Sequence, residues 1–570
     1  MSGIAAPFTS ASDRASLAER LLAFLEASHG RACALLLTLS LVCFLPGFVS
    51  LQPMDRDEPR FAQASKQMLE TGDLIDIRFQ DEARYKKPVG IHWMQSATVA
   101  AAEALGVPAA RTTIALYRIP SLFGALAAVL LTYWAALAFA GRREAFLAAA
   151  FMGASIILSV EARLAKTDAM LLACSVAAMG ALARVYLARR EAGPARSTLV
   201  IFWVAMAAGI LIKGPMVLMF AGTCAALLSV RERSVTWLRA LRPGLGFLFL
   251  LAIVLPWFVA IGLKSGSEFY AKAVGDDMLG KVASSQQKHW GPPGFYLVAF
   301  FATFWPGAIF AGIAAPFAWK YRGEDRVAFA LAWIVPSWLI FEAVSTKLPH
   351  YVMPLYPAIA ILTVLAIARG YVGPHRPGAR VAFLAMPLIP VGLTILLSYA
   401  AWTLDGVLPV VGWLLLVPSS GLAILAWIYF ARAEVTRAAL TGVAAALLLS
   451  AGFFGLTQPV LQSLKLSPRL AAAVGTAGCA NPLVATLGYR EPSLVFLVGT
   501  QLEMVESADE AVGFLKQPGC RIAFVQDRFA DRFATASAQA GFAPRRTATV
   551  AGFNINGGRR MSIDAFVGQP

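Results

Sequence analysis

Apolar stretches long enough to cross ~30 Å of hydrocarbon, about 20 residues each, recur along the chain between short polar loops. They fall near 31–51, 114–140, 145–162, 169–188, 197–213, 214–230, 243–263, 293–318, 326–345, 350–368, 381–402, 408–430 and 438–456. The pattern predicts an all-α polytopic membrane protein of about thirteen transmembrane helices. Residues 13–28 alternate charge with Leu and Phe and predict an amphipathic helix on the inner surface. The apolar stretch 89–105 would break the alternation of basic loops if it spanned, and reads as a helix lying on or dipping into the outer face. From 457 onward the pattern changes to short β-like runs: Leu483–Leu487, Leu494–Val498, Ile522–Val525, Ala548–Phe553 and Met561–Phe566, with a helical stretch Ala508–Leu515 between the second and third. This predicts a membrane domain over 1–456 and a small α/β domain over 457–570.

Composition agrees. Of 570 residues 58% are apolar and 14% charged, whereas soluble domains carry about 25% charged residues. Lys and Arg accumulate on the cytoplasmic side of membrane proteins. With the N-terminus inside, six later inner loops are all basic: Arg142 and Arg143; Arg189, Arg190 and Arg196; Arg231, Arg233, Arg239 and Arg242; Lys320, Arg322 and Arg326; Arg369, Arg376 and Arg380; Arg432 and Arg437. Much of the net charge of +16 is therefore topological, and nucleic acid is not expected as a partner. After thirteen crossings the C-terminal domain lies outside. Cys33, Cys43, Cys174 and Cys224 fall in spans, where small apolar packing is the default. Cys479 and Cys520 fall in the outer domain, where an oxidising compartment permits a disulfide; two free thiols are the alternative.

Loop 52–113 is where candidate chemistry begins. Asp55, Asp57 and Glu58 place three carboxylates within four residues, followed by Arg60. A short amphipathic helix carrying Phe61, Ser65, Met68 and Leu69 ends at Gly72, and Arg84, Tyr85, Lys86, Lys87 and Pro88 then add three cations. A loop that gathers carboxylates and cations at the interface suits a substrate carrying phosphate on a lipid. The same side presents Asp168 behind Arg163 and Lys166, Lys213 in a Lys-Gly-Pro turn, Asp276, Asp277, Lys281 and His289 in loop 264–292, and the run Lys347, Leu348, Pro349, His350, Tyr351. Charges near a bilayer are costly unless paired or solvated, so loops 52–113 and 264–292 are expected to form, with these residues, one shared polar cavity.

In this order the residues resemble the bacterial C-type membrane glycosyltransferases related to protein O-mannosyltransferases. Within them the pattern is similar to the lipid A 4-amino-4-deoxy-L-arabinose transferase group: Asp-Glu-x-Arg-(Tyr/Phe)-Ala is met by Asp57, Glu58, Arg60, Phe61 and Ala62, and Met-Leu-x-x-Gly-Asp by Met68, Leu69, Gly72 and Asp73. The resemblance covers 31 to about 370 by motif and the rest by architecture. It implies the C-type glycosyltransferase fold and transfer of sugar from undecaprenyl phosphate to a phosphate of lipid A, at the periplasmic face of the bacterial inner membrane, by a monomer surrounded by membrane lipids. Carried over by position, Asp57 is the principal acid and Asp168 its partner, with Asp55 and Glu58 as further acidic candidates. Lys87, Lys213 and Lys347 are the cations near phosphate, and Arg60, Arg84, Tyr85, Lys86, Asp277, Lys281, His289 and Tyr351 complete the substrate-binding set. Two departures stand out: Lys86 replaces the usual Glu before Lys-Pro, and Asp55 adds an acid two residues early.

The chemistry also stands without the family. A polyprenyl phosphate is already an activated leaving group whose departing charge needs cations aimed at it, so no nucleotide sugar is called for. An ionised phosphate acceptor needs little help from a base; a hydroxyl acceptor would make Asp57 a general base. No cofactor is required, although Asp55, Asp57 and His289 could together hold zinc or manganese. Walker and Rossmann glycine patterns are absent. The alternatives are transfer of a hexose to protein or another glycan and, from another class, a lipid or sugar transporter, against which the grouping of charge at one mouth counts.

Overall fold

The structure, a computed structural model, describes residues 17–54, 56–189, 194–273, 275, 290–478 and 481–568. Among these, nine helices are long and apolar enough to cross a membrane: Ile114–Ala136, Asp168–Leu187, Arg196–Lys213, Pro243–Ser265, Asp325–Ala343, Pro349–Ala368, Ala379–Asp405, Val410–Ala431 and Val435–Val460. The other four expected segments are helical but short or interrupted. His29–Phe44 and Met216–Glu232 have 16 and 17 residues. Arg142–Ala154 and Ile156–Glu161 are separated where Ser155 turns extended, and Phe295–Thr303 and Gly307–Lys320 are separated around Pro306, which offers no N–H to continue a ladder. The expected thirteen thus resolve into nine full-length spans and four broken or shorter helices. The amphipathic N-terminal segment is helical over Leu17–Glu26.

Loop 52–113 is folded. It contains helix Asp57–Thr71, which ends on Gly72 in the left-handed region (φ +74°), as a residue without Cβ allows. A two-residue hairpin follows, β1 (Arg78–Phe79) and β2 (Glu82–Ala83), then helix Gly90–Ala104. Nearly every residue of Asp57–Thr71 from Glu58 to Met68 is buried.

Helix Gly90–Ala104 covers one side of it, through Ser65 with His92, Gln95 and Ser96, and the C-terminal domain covers another. Strands β3 (Leu483–Leu487), β4 (Glu503–Val505), β5 (Arg521–Gln526), β6 (Arg545–Asn554) and β7 (Arg559–Val567) form one sheet in the order β4-β3-β5-β7-β6. β3 is parallel to β4 and β5, and β7 is antiparallel to β5 and β6. Helix Ala508–Lys516 matches expectation, whereas the run at Leu494–Val498 is not a strand: Pro492–Val498 is a helix with proline in its first turn, where its fixed φ suits helix entry. That helix docks against the loop. Phe496 is fully buried, its ring edge-on to Tyr117 at 5.2 Å, and Lys66 donates to its carbonyl at 3.1 Å. Polar contacts extend the seam: Gln63 donates to the Thr500 hydroxyl at 2.7 Å, and Gln80 donates to the carbonyls of Thr500 and Leu502 at 3.0 and 2.8 Å.

Cys520 is disulfide-bonded, while Cys33, Cys43, Cys174 and Cys224 are free. Cys479, the partner expected for Cys520, lies outside the described residues.

Candidate active site

Asp57 and Glu58 open the same helix, where carboxylates complement the N-terminal dipole, yet adjacent helical positions face different ways. Asp57 keeps 47% of its side chain exposed, with Arg60 at 3.9 Å and Arg84 at 3.8 Å. Burial alone would push its carboxyl up, but Arg84, Lys166, Arg60 and Lys86 outweigh that and hold it below the usual carboxylate range. It is an ionised group facing cations.

Glu58 is fully buried and faces Arg118, a residue of span Ile114–Ala136. Arg118 donates from Nε and Nη2 to its two oxygens at 2.7 and 3.0 Å, and the backbone N–H groups of Met54 and Ala165 complete its contacts at 2.6 and 3.0 Å. Arg118 also donates to the carbonyls of Phe48, Leu51 and Gln52 at 2.8–2.9 Å. This is a staple between the loop and the bundle, and it corrects the expectation that Glu58 stands beside Asp57 as a catalytic acid: its hydrogen-bonding capacity is spent on the scaffold.

A second group of charges gathers where four helices meet. Asp168, at the first position of its span, accepts from Lys213 at the last position of Arg196–Lys213. His350 stands 3.4 Å from Asp168 and 3.5 Å from Glu161 through its two ring nitrogens, and Lys166 lies 3.3 Å from Glu161. The Lys213 ammonium also stands 5.5 Å from the ring centroid of Tyr351. Asp168 is therefore buried and paired rather than an open lining residue. Lys347 departs further from expectation. It is buried and donates to the carbonyls of Phe341, Glu342 and Val344 at 3.0, 2.6 and 2.8 Å. All three ammonium protons cap the end of helix Asp325–Ala343, and none is left for a phosphate.

A cavity of about 1060 Å³ lies between the loop and the C-terminal domain. Arg60, Arg84, Tyr85, Lys86 and Lys272 line it from one side, and Arg490, Thr500 and the edge strand β4 from the other. Burial, and after it the hydrogen bond that the Tyr85 hydroxyl donates to Asp76 at 2.7 Å, push its ionisation up. Lys87, next in the chain, is half-buried.

Of the expected set, the structure brings Arg60, Arg84, Tyr85 and Lys86 to the cavity, Asp57 to Arg60 and Arg84, and Asp168, Lys213 and Tyr351 to the second cluster. Asp55, Asp277, Lys281 and His289 lie outside the described residues. Of the zinc or manganese set only Asp57 is described, with Arg84 and Arg60 3.8 and 3.9 Å from it. No group of three His, Cys, Asp or Glu side chains among the described residues could hold a metal ion. Residue patterns alone passed over Glu161 and Arg118 and gave His350 no role. The available signal was a lone ionisable residue inside an apolar segment, which demands a partner.

Comparison with known proteins places this geometry. A family model described as dolichyl-phosphate-mannose-protein mannosyltransferase matches residues 31–265. Two undecaprenyl phosphate-alpha-4-amino-4-deoxy-L-arabinose arabinosyl transferases, from Erwinia tasmaniensis and Aeromonas salmonicida, are each 26% identical over 54% and 55% of the chain. The chain spans just over half the length of these relatives, 54% and 56%. The crystal structure of ArnT from Cupriavidus metallidurans bound to undecaprenyl phosphate superposes with a TM-score of 0.72 at 19% identity, covering 93% of this chain and 97% of that one; its apo state gives 0.70. The fold read from the sequence resemblance is thus the fold observed, C-terminal domain included.

Proposed function

We propose that this chain is a lipid-linked-sugar glycosyltransferase. It moves 4-amino-4-deoxy-L-arabinose, or a related sugar, from undecaprenyl phosphate to a phosphate of lipid A, acting as a single chain at the periplasmic face of the bacterial inner membrane. The observation that carries this reading is the set of cations Arg60, Arg84 and Lys86 on the wall of a cavity of about 1060 Å³, with Asp57 paired to Arg84 and Arg60, at one mouth of an apolar helical bundle. That is where a donor with its tail in the bilayer and its phosphate in a polar cleft would fit. The names of the relatives and the likeness to ArnT support the choice of donor.

In the reaction the bond between the sugar's anomeric carbon and the donor phosphate oxygen breaks, and a bond from that carbon to an acceptor oxygen forms. The departing phosphate changes from diester to monoester and gains negative charge, so cations already aimed at it lower the barrier. Arg84, Arg60 and Lys86 occupy that wall. Lys213 is tied to Asp168 and instead holds the second cluster in shape. Asp57, kept ionised, orients the guanidinium groups and suits an amino group on the sugar; an ionised acceptor phosphate needs no base. Lipid A from cells with and without the protein, compared by mass spectrometry, tests the reading: the added aminopentose should depend on the protein, and identical lipid A would overturn it.

A second reading, transfer of a hexose from a polyprenyl phosphate to protein, is supported by the mannosyltransferase family model over residues 31–265. It predicts unchanged lipid A and a glycoprotein lost with the protein.

A further inference from the structure

Phe61 follows Arg60 in helix Asp57–Thr71 and is buried. The family pattern asks only for Tyr or Phe at this position, and the ring has so far been given no task. Two groups use its π surface. The Arg84 guanidinium stands 4.4 Å from the ring centroid, within the range of a cation–π contact. The His92 imidazole stacks on the ring at 5.4 Å between centroids with the planes 28° apart.

His92 is itself anchored. Its Nδ1 pairs with the Ser65 hydroxyl at 2.9 Å, Ser65 donates to Gln95 at 2.6 Å, and Gln95 donates to the carbonyl of Ala165 at 3.1 Å. A hydrogen-bonded chain therefore runs from the loop joining Glu161 to Asp168, through His92, to the Phe61 ring. Burial, and secondarily the charge of Arg84, push the imidazole down to about 3, so at neutral pH it does not repel the guanidinium beside it.

Arg84 lines the cavity and reaches Asp57 at 3.8 Å. A long guanidinium side chain on a loop loses rotamer freedom when it must meet a phosphate in one orientation. An aromatic face already in contact with the group reduces that loss before the ligand arrives. We propose that Phe61 is a positioning residue: its ring, braced by His92, orients the Arg84 guanidinium toward the phosphate of the lipid-linked donor. This rests on the transferase reading above. A ring that merely filled the core would affect folding but would have no specific energetic link to Arg84.

A double-mutant cycle separates the two. The full-length protein and its Phe61→Leu, Arg84→Ala and doubly substituted variants are titrated with undecaprenyl phosphate, and the melting temperature of each is recorded. Phe61→Leu should weaken binding about 5-fold in the presence of Arg84 and have no further effect in the Arg84→Ala background, and Phe61→Tyr should restore most of the loss. Should the leucine variant not fold, Phe61→Met, closer in volume, takes its place in the cycle. Equal losses in both backgrounds, or unaltered binding by Phe61→Leu, would overturn the inference while leaving the transferase reading in place. Failure of the wild-type chain to bind the lipid would strike that reading first.

Discussion

Helix Asp168–Leu187 runs between two clusters of paired charge, and the clusters are built on opposite terms. At its N-terminal end Asp168, Lys213, Glu161, Lys166 and His350 are packed together with side-chain exposures of 3–14%. Beyond its C-terminal end Arg189 pairs with Glu232 and Asp325 at 2.9 Å, and Arg231 with Asp325 at 2.8 Å. There Asp325 is 35% exposed, Arg231 31% and Glu232 21%, and only Arg189, at 7%, is as buried as the first cluster. The pairs at the C-terminal end are as short as or shorter than most of those at the N-terminal end, and it is solvent that separates the two. Exposed pairs are screened and contribute little, so the second cluster tells mainly of topology, since its arginines belong to the basic loops expected inside. Buried pairs carry a desolvation cost that their attraction offsets only with good geometry. Where a chain concentrates several of them beside a polar cavity, function is the more economical reason than stability.

The sharpest way to test that contrast is to remove one partner from a buried pair. Glu58→Ala leaves Arg118 charged and enclosed, with its two carboxylate contacts gone. The expected loss of stability is about 3–5 kcal/mol, read as a large drop in melting temperature of the purified protein. A wild-type melting curve would remove Glu58 from the scaffold and reopen its candidacy as a catalytic acid.

Next in size is an effect on activity with little effect on folding. Asp57 is half exposed and its partners lie at 3.8–3.9 Å, so Asp57→Ala should fold and lose at least about 10²-fold in sugar transfer, the scale found when one preorganised electrostatic group is removed from a site. Full modification of lipid A by this variant would sink the assignment. Asp168 is not an equivalent test, because its alanine variant strands Lys213 in the interior; Asp168→Asn, which keeps the shape, is the substitution that separates charge from packing there.

Lys347 should fall between the two clusters. Its ammonium caps three carbonyls and lies 3.8 Å from Glu342, so Lys347→Met should cost about 1–3 kcal/mol of stability through unsatisfied carbonyls and leave donor affinity close to wild type in whatever fraction folds. A selective loss of affinity for undecaprenyl phosphate, with melting unchanged, would return Lys347 to the phosphate-binding set.

How much of this was legible beforehand follows from what kind of information each feature leaves in the chain. Apolar periodicity is local, so the helical segments, the amphipathic helix at Leu17–Glu26 and four of the five β-like runs could be read directly. Leu494–Val498 could not, because five apolar residues suit a strand or a buried helix equally well and docking under helix Asp57–Thr71 decided between them. Asp57 and Arg60 sit in one dense motif and Arg84 opens a second run of charge on the same loop, so each was legible by its type and spacing. Arg118 and Glu58 are 60 residues apart, and His350 meets Glu161 and Asp168 from nearly 200 residues away; no spacing rule connects them. Lys347 was misjudged for a related reason: a motif reports that a cation is present, while only the end of the preceding helix reveals which oxygens it serves.

The smallest effect belongs to the exposed end, and it tests the comparison from the other side. Glu324 and Arg369 make a two-pronged pair at 2.7 and 2.8 Å, geometrically as good as Glu58 with Arg118, but 41% and 37% exposed. The hydrogen bonds from Arg369 hold the Glu324 carboxyl below its ordinary value. A carboxylate whose folded pKa is depressed adds stability at neutral pH and loses it as pH falls through that folded value, so whatever this pair contributes should vanish in acid, below about pH 4. With both groups in water the contribution should stay within about 1 kcal/mol and shrink further in molar salt. Glu324→Gln should therefore shift the melting temperature slightly at neutral pH and low salt, and not at all at low pH or high salt. A shift as large as that of Glu58→Ala, persisting in salt, would mean that exposure does not distinguish the two ends and that the buried cluster needs no functional explanation.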